Sequence, residues 1–390
     1  MNTLGKMAAT TVAALSFIAL DASAAINPTA SVVLLRTSCN DGAGGDLNNC
    51  FTNMPSLQTY IYVTRTDKAA PLLIDIGPGV YTSSTGWSGF ECQAKAPAGN
   101  SGSNGGNLTF RGAGIDKTIL SGNPYGILNH CPNSNWSFES LTVKGGLYGV
   151  IWGGDGNSNW TNVVFKGGWY DFARNGGNQT LCPSGQQGTH RFFSSRIVEK
   201  SGIAYSSVCG DGWFWGSEII KTTTENSGSA IQISGSGNRL HFYGSNIRLE
   251  ASPTALSSTT AQQTAIVVTD YAEVHAHGVG IDLVGKDGWT LTALDASSNG
   301  TIHADVSAYS VPPRPGIKFR RIVNNGGHVH APYVWQHIPD FNFESITGAD
   351  TTTVTTGTID GQPHAAVYSA KCALTSLATP WWDAVDKVCR

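Results

Sequence analysis

Charged side chains are scarce in this chain. Lysine, arginine, aspartate and glutamate make up 13% of its 390 residues, which is about half of their usual share in a soluble domain. The small net charge of −3 argues against a nucleic-acid-binding protein, because such proteins are normally basic. After the N-terminal residues no apolar run approaches the ~18 residues of a membrane span. The sequence therefore predicts no membrane segment in the mature protein.

Cysteine pairs with metal-binding spacing are also missing. None of the eight cysteines stands in a C-x-x-C pattern, which argues against a structural zinc site. An even number of cysteines is typical of an exported chain with disulfide bonds. Among about 105 possible connectivities, bonding between sequence neighbours predicts the pairs Cys39–Cys50, Cys92–Cys131, Cys182–Cys209 and Cys372–Cys389.

The N-terminal residues have the pattern of a secretory signal. Lys6 precedes an apolar run from Ala8 to Leu20, and Ala22-Ser23-Ala24 follows. A basic start, a short apolar core and small residues at the cleavage site define such signals. We expect residues 1–24 to be removed and the chain to be secreted, to the periplasm or the cell exterior. An uncleaved anchor is the alternative.

Glycine is abundant, with 47 residues, and the chain repeats itself. Asn133-Ser134-Asn135-Trp136 returns as Asn157-Ser158-Asn159-Trp160, and Lys144-Gly145-Gly146-Leu147-Tyr148 returns as Lys166-Gly167-Gly168-Trp169-Tyr170. A repeat of about 20 to 50 residues buries its apolar face only by stacking on its neighbours. The sequence therefore predicts an all-β parallel β-helix, with an N-terminal cap over 25–70, coils over 71–335 and a C-terminal cap with a disulfide loop over 336–390. Strands over 351–358 and 365–368 are predicted to lie outside the stack.

Two segments at the start of the coils resemble a known family. They are Ile74-Asp75-Ile76-Gly77-Pro78-Gly79-Val80-Tyr81 and the run from Leu108 to Gly122, Leu-Thr-Phe-Arg-Gly-Ala-Gly-Ile-Asp-Lys-Thr-Ile-Leu-Ser-Gly. They are similar to the opening coils of the pectin-lyase-like superfamily, and of pectin methylesterases in particular. The resemblance covers 72–122 and implies a single-stranded right-handed parallel β-helix with a polysaccharide lying along its side. Lyases, hydrolases and esterases share these coils.

No catalytic signature of these families is matched. The segment from Gly210 to Gly216 is similar to the Asp-containing segment of pectin methylesterases, but it has one extra residue and its Gln-Asp-Thr-Leu-like partner is absent. Val311 to Arg321 only loosely resembles the Arg-x-Pro-x-x-Arg pattern of pectate lyases, and Trp169-Tyr170-Asp171-Phe172 lacks their histidine. The paired aspartates and Gly-His-Gly of polygalacturonases are also absent from the sequence.

Polar and aromatic residues are densest beside two insertions, at 173–190 and around Cys209. A cation can neutralise a uronate carboxylate and so acidify the C5 proton that a base removes, which predicts catalytic roles for Asp171, Arg174, Lys200 and Asp211. Aromatic rings can stack on sugars, which predicts substrate-binding roles for Trp152, Trp169, Tyr170, Tyr205, Trp213 and Trp215. For each aromatic residue, packing beneath a loop is the alternative.

Two further patterns recur from coil to coil. His241, His275, His303 and His330 are predicted to form a ladder, either as a structural stack or as a metal site. Lysines follow apolar strands in successive coils, which predicts either a basic stripe for an acidic glycan or solvated edge lysines: Lys144, Lys166, Lys200 and Lys221.

These features predict a secreted carbohydrate-active protein, first of all a lyase that cleaves an acidic extracellular polysaccharide by β-elimination. The alternatives are a non-catalytic glycan-binding or adhesion module and a structural surface protein that packs on copies of itself. The sequence leaves open the exact polymer, the oligomeric state and the metal requirement, calcium included.

Overall fold

The computed structural model describes the backbone of residues 26–39, 49–83, 86–92, 105–153, 156–168, 170–174, 188–199, 202–207, 210–224, 227–310 and 317–330, and of four short strands between 353 and 389. The predicted signal over 1–24 lies outside these residues. So do Cys182, Cys209 and Cys372, and with them two of the predicted disulfide bonds.

The described chain is mostly strand. The strands of the first half are β1 Val32–Leu35, β2 Cys50–Phe51, β3 Leu72–Ile76, β4 Gly79–Tyr81, β5 Ser88–Cys92, β6 Gly106–Gly112, β7 Thr118–Gly122, β8 Tyr125–Asn129, β9 Ser134–Gly145, β10 Tyr148–Trp152, β11 Gly156–Lys166 and β12 Tyr170–Arg174. They continue as β13 Thr189–Phe193, β14 Arg196–Glu199, β15 Ile203–Ser207, β16 Asp211–Trp215, β17 Glu218–Thr223, β18 Ser227–Ser234, β19 Arg239–Tyr243, β20 Asn246–Ala251, β21 Gln262–Thr269, β22 Glu273–Val284, β23 Thr290–Ser297, β24 Thr301–Ser310, β25 Lys318–His330, β26 Thr353–Ile359, β27 Gln362–Pro363, β28 Trp382–Asp383 and β29 Val388–Cys389.

Three ladders of parallel strands run through one large sheet. The first ladder pairs β3, β6, β9, β11, β13, β16, β19, β22 and β24 in turn. The second pairs β4, β7, the second half of β9, the second half of β11, β14, β17, β20 and the second half of β22. The third pairs β5, β8, β10, β12, β15, β18, β21 and β23. The predicted all-β class with mostly parallel strands is confirmed.

The core lies between the ladders and is built by alternation along each strand. In β3, Leu72, Ile74 and Ile76 are buried while Leu73 and Asp75 are partly exposed, as a strand with one covered face requires. Across the first ladder, one inward position carries an aromatic ring in six successive strands: Phe110, Phe138, Trp160, Phe192, Phe214 and Phe242. These rings are fully buried and stack nearly parallel. The ring stack fixes the register between coils.

The corner between the first two ladders turns on single residues with left-handed backbone, such as Ser194 at φ 47° and Gly216 at φ 52°. The next residue of each coil is a buried serine, and these serines interlock: Ser195 N donates to Ser217 Oγ and Ser217 N donates to Ser245 Oγ, both at 3.2 Å. The apolar pattern predicts one continuous strand where each such corner lies, and the corner divides it in two. The break between β13 and β14 is an example.

The ends of the stack differ from the prediction in detail. The segment predicted as an N-terminal cap contains α1, Met54–Thr59, followed by a π-helical turn, Tyr60–Thr64. It also contains β1, which pairs in parallel with β3. At the other end, β26 was predicted to lie outside the stack but pairs in parallel with β25. The predicted disulfides Cys39–Cys50 and Cys92–Cys131 are confirmed. Among the described residues, no helix is long and apolar enough to cross a membrane.

Candidate functional site

Two of the residues predicted to bind substrate lie in the core. Trp152 is fully buried, with its ring edge-on to Trp136 at 5.3 Å between centroids. Tyr205 is also buried and stacks on Phe172 at 5.4 Å. Both stand at inward positions of the third ladder, so neither can present its ring to a sugar. The prediction for these two residues is corrected.

A second group of predicted residues lies near the insertion after β12. Tyr170, Asp171 and Arg174 belong to β12, where Tyr170 stands in register with Tyr148 and Arg174 with Trp152. Their side chains lie outside the described part of the chain, as do Trp169 and Lys200 entirely. The roles predicted for these five residues therefore stay predictions.

The remaining three predicted residues, Asp211, Trp213 and Trp215, lie together on β16 at outward, partly exposed positions. His241 covers one face of the Trp213 ring, with 3.8 Å between centroids. Trp215 lies between Phe193 at 4.7 Å and Tyr243 at 6.0 Å, all three nearly parallel. Rings therefore lie on both sides of Trp215, whereas sugar stacking needs an open ring face. Trp215 does not offer the platform that the prediction assumed, and the substrate-binding role of Trp213 stays a prediction.

The histidine ladder is confirmed. His241, His275 and His303 stand in register on successive strands, and their rings stack at 4.8 and 4.7 Å. His330 continues the same register. Within the described ranges, no group of three or more histidine, cysteine or carboxylate side chains could hold a metal ion. The stacking of the His241, His275 and His303 rings agrees with the structural alternative.

The ladder makes stability sensitive to acid. Burial, followed by the positive charge of His275 and Arg239, lowers the pKa of His241 to about 4 from its ordinary value of 6.5. Glu273 opposes this shift, and His277 adds to it. Between these two pH values the unfolded chain binds the extra proton, so the free energy of unfolding falls as pH falls through that window.

We expect His241→Gln to reduce this loss of stability, because glutamine carries no titrating group. Urea unfolding at about pH 7 and about pH 4.5 measures the difference between the variant and the parent chain. His328→Gln is the control, because this exposed histidine lies outside the ladder, in register with Thr301. An unchanged pH dependence in His241→Gln would contradict the assignment.

The predicted basic stripe is shorter than the sequence indicates. Lys144 and Lys166 are exposed and stand in register on adjacent coils. Lys221 stands one position away in register, is almost fully buried, and donates from Nζ to the Ser229 carbonyl at 3.2 Å. The stripe therefore covers two coils in the described chain.

A groove of about 460 Å³ opens at the corner between the third and first ladders. It lies beside the histidine ladder and one coil beyond Asp211, which is in register with Arg239. Its wall combines a cation, a carboxylate, an imidazole, an amide, a hydroxyl and one aromatic ring: Arg239, Glu273, His328, Asn299, Thr301 and Tyr271.

Two stacked turns shape this groove. In the first, Asp270 and Tyr271 both have positive φ, 54° and 64°, and Ala272 N donates to the Thr269 carbonyl at 3.1 Å. The equivalent turn of the next coil repeats this geometry, with Asn299 opposite Tyr271. Such turns favour asparagine and glycine, and left-handed backbone costs another residue about 1–2 kcal/mol. The Tyr271 side chain is nevertheless 63% exposed, so burial of its ring does not offset that strain.

The charges of the groove are loosely paired. Arg239 Nε lies 3.8 Å from Glu273 Oε2, and the same carboxylate oxygen lies 3.5 Å from His275 Nε2. Arg239 is 53% exposed, and among the described residues its terminal amino groups donate no hydrogen bond. An exposed ion pair of this kind contributes about 0–1 kcal/mol. The ion pair with Glu273 therefore holds the Arg239 side chain only weakly.

Tyr271, Arg239 and Glu273 were not among the residues predicted from the sequence. The signal that could have found Tyr271 is the triplet around each ladder histidine, Val274-His275-Ala276 and Ile302-His303-Ala304. Aligning those triplets places Tyr271 opposite Asn299, at a turn position that favours asparagine. A large exposed aromatic residue at that position is a backbone outlier, from which a functional role can be hypothesised.

No protein-family model matches the chain, and no curated protein matches it.

Proposed function

We propose that this chain is an exported glycan-binding protein whose groove beside Tyr271 holds an acidic extracellular polysaccharide. We further infer that the three ladders form a single-stranded right-handed β-helix of the pectin-lyase-like kind. The stacked parallel strands and the resemblance of residues 72–122 support this architecture. The disulfides Cys39–Cys50 and Cys92–Cys131 support export, because such bonds persist in oxidising compartments.

The observation that carries the proposal is the exposed ring of Tyr271, held in strained backbone at the edge of a polar groove. An aromatic ring covers the apolar face of a sugar and leaves its hydroxyls free to bond elsewhere. Asn299 and Thr301 supply donors and acceptors within the same groove. An apolar surface beside hydrogen-bonding groups suits a pyranose.

Arg239 favours an acidic sugar over a neutral one. Its guanidinium is exposed and only loosely paired, and arginine binds a carboxylate through two parallel hydrogen bonds. A uronate unit with its carboxylate on Arg239 and its ring against Tyr271 would use both features.

We expect Tyr271→Ala to weaken binding of a uronate polymer by roughly 10-fold, which corresponds to the loss of one aromatic contact. Isothermal titration with the folded mature chain measures the affinity. Tyr271→Phe keeps the ring and should bind nearly as well as the parent chain. Leu256→Ala, which removes another strongly exposed side chain from outside the groove, is the control. Equal affinity in Tyr271→Ala and the parent chain would refute the proposal.

A second candidate, β-elimination in the same groove, is favoured by one observation: His328 lines the groove together with Arg239. With the uronate carboxylate neutralised by Arg239, an imidazole could accept the C5 proton. The C4–O bond then breaks, a C4–C5 double bond forms, and the departing oxygen takes up a proton. Ultraviolet absorbance of the unsaturated product, followed with and without calcium on a panel of uronate polymers, tests this. Binding without unsaturated product would leave glycan binding as the function and exclude elimination of those polymers.

A further inference from the structure

At a different corner of the stack, where the second ladder turns into the third, two lysines have no ion pair among the described residues, and exposed apolar side chains stand on the same corner. We propose that Lys144, Lys166, Trp87 and Leu147 form a second binding strip, which takes a linear anionic polysaccharide along the direction of the stack. The strip is built on the repeated Lys-Gly-Gly motif, which the groove does not use.

The two lysines offer one cation per coil. Lys144 and Lys166 are register partners, so their backbones lie about 4.8 Å apart. Both are exposed, and within the described chain neither lysine has an ion pair or a side-chain hydrogen bond. A lysine that discourages edge pairing would stand on an exposed strand edge, whereas these two lie on strands already paired on both sides. Their charge is available to an external anion.

The turn after Lys144 is closely packed against its neighbours. A Cβ on Gly145 would overlap the Tyr148 carbonyl oxygen, and a Cβ on Gly146 would come within 2.3 Å of Asn123 Oδ1. Gly146 N and Leu147 N donate to the Gly122 and Pro124 carbonyls of the preceding coil, at 3.1 and 2.9 Å. Lys144 and Leu147 therefore flank a turn that is hydrogen-bonded to the preceding coil. A preformed surface loses little conformational entropy on binding.

Exposed apolar side chains stand on the turns of the same corner. Trp87 is 58% exposed and Leu147 is 49% exposed. They stand on stacked turns, since Asn123 N donates to the Gly86 carbonyl at 3.0 Å and the next turn bonds to Pro124. Behind them Tyr125 and Tyr148 stack at 5.5 Å. A polysaccharide of acidic sugars presents both charges and apolar ring faces, so it complements this strip on both counts.

The test compares two double variants of equal net charge. Lys144→Gln/Lys166→Gln removes the strip cations, and Lys117→Gln/Lys286→Gln removes two lysines at other places on the surface. Each full-length variant is titrated with polygalacturonate, and with a neutral glucan, at about 50 mM and about 200 mM salt. We expect the strip variant to bind polygalacturonate about 10-fold more weakly at low salt, at about 3-fold per exposed ion pair. Its affinity should also depend less on salt, and Lys117→Gln/Lys286→Gln should stay within about 2-fold of the parent chain.

The same titrations separate this strip from the groove. Tyr271→Ala alone should lower the affinity for polygalacturonate and leave the salt dependence unchanged. If only the strip variant loses affinity, the strip stands and the groove proposal fails. If both double variants lose affinity equally, net charge explains the binding and the strip proposal is overturned. If the strip variant binds like the parent chain, the proposal is likewise overturned. If duplex DNA competes for the strip as well as the glycan does, the strip binds polyanions in general. The proposal of an anionic polysaccharide as its ligand class is then overturned.

Discussion

Replacing Trp160 by alanine is expected to lower the free energy of unfolding by about 4 kcal/mol. Trp160 is fully buried and stacks on Phe138 at 4.1 Å, with planes only 4° apart. Its Nε1 donates to Ser158 Oγ at 2.6 Å, and the same hydroxyl lies 2.7 Å from His190 Nδ1. The substitution therefore opens a cavity in the continuous ring stack and removes a partner from a buried polar group.

Urea unfolding of the two chains, followed by circular dichroism, measures this loss. Trp87→Ala is the matched control, because it deletes the same side chain from an exposed turn. It should cost less than about 1 kcal/mol. A Trp160→Ala chain as stable as Trp87→Ala would mean that the coils do not stack through this position.

Removing the Cys92–Cys131 disulfide is expected to cost about 4 kcal/mol. The bond joins the last residue of β5 to the segment after β8 across 39 positions, and loop-closure entropy increases with loop length. Both cysteines are fully buried, so Cys92→Ala/Cys131→Ala changes little else at the surface.

The second bond provides an internal comparison. Cys39–Cys50 spans only 11 positions, so Cys39→Ala/Cys50→Ala should cost about 1 kcal/mol less than removal of the longer bond. Unfolding of both double variants in urea gives the two values. A larger loss from the shorter loop would show that the contribution of these bonds is not set by chain entropy.

The stacking of coils could be predicted because the chain repeats its own motifs. Lys144 pairs with Lys166, as the repeated Lys-Gly-Gly motif indicates. The two Asn-Ser-Asn-Trp copies do not stand in register, because Asn135 lies opposite Asn157 and Phe138 opposite Trp160. It was harder to predict which side chains of a coil point into the core. Val150, Ile151 and Trp152 are consecutive apolar residues and all are buried, so alternation could not tell which of them faces inward. A one-position shift in this alternation exchanges core for surface, and the structure places Trp152 in the core.

Corners were predictable only where glycine marks them. Gly216 and Gly244 stand at left-handed corner positions, yet Ser194 occupies the equivalent corner of an earlier coil. Serine is not a signal of positive φ in a sequence. The groove depends on the same kind of geometry, because Tyr271 becomes prominent only once its backbone is seen to be left-handed. Aromatic content alone pointed instead to Trp213 and Trp215, whose rings stack along the ladder.

A crystal structure of the mature chain with a bound uronate oligosaccharide tests the glycan-binding account most directly. We predict a sugar ring against Tyr271, its carboxylate on Arg239 and its hydroxyls on Asn299 or Thr301. An oligosaccharide bound on another face, with the groove empty at saturating ligand, would contradict the assignment of the groove.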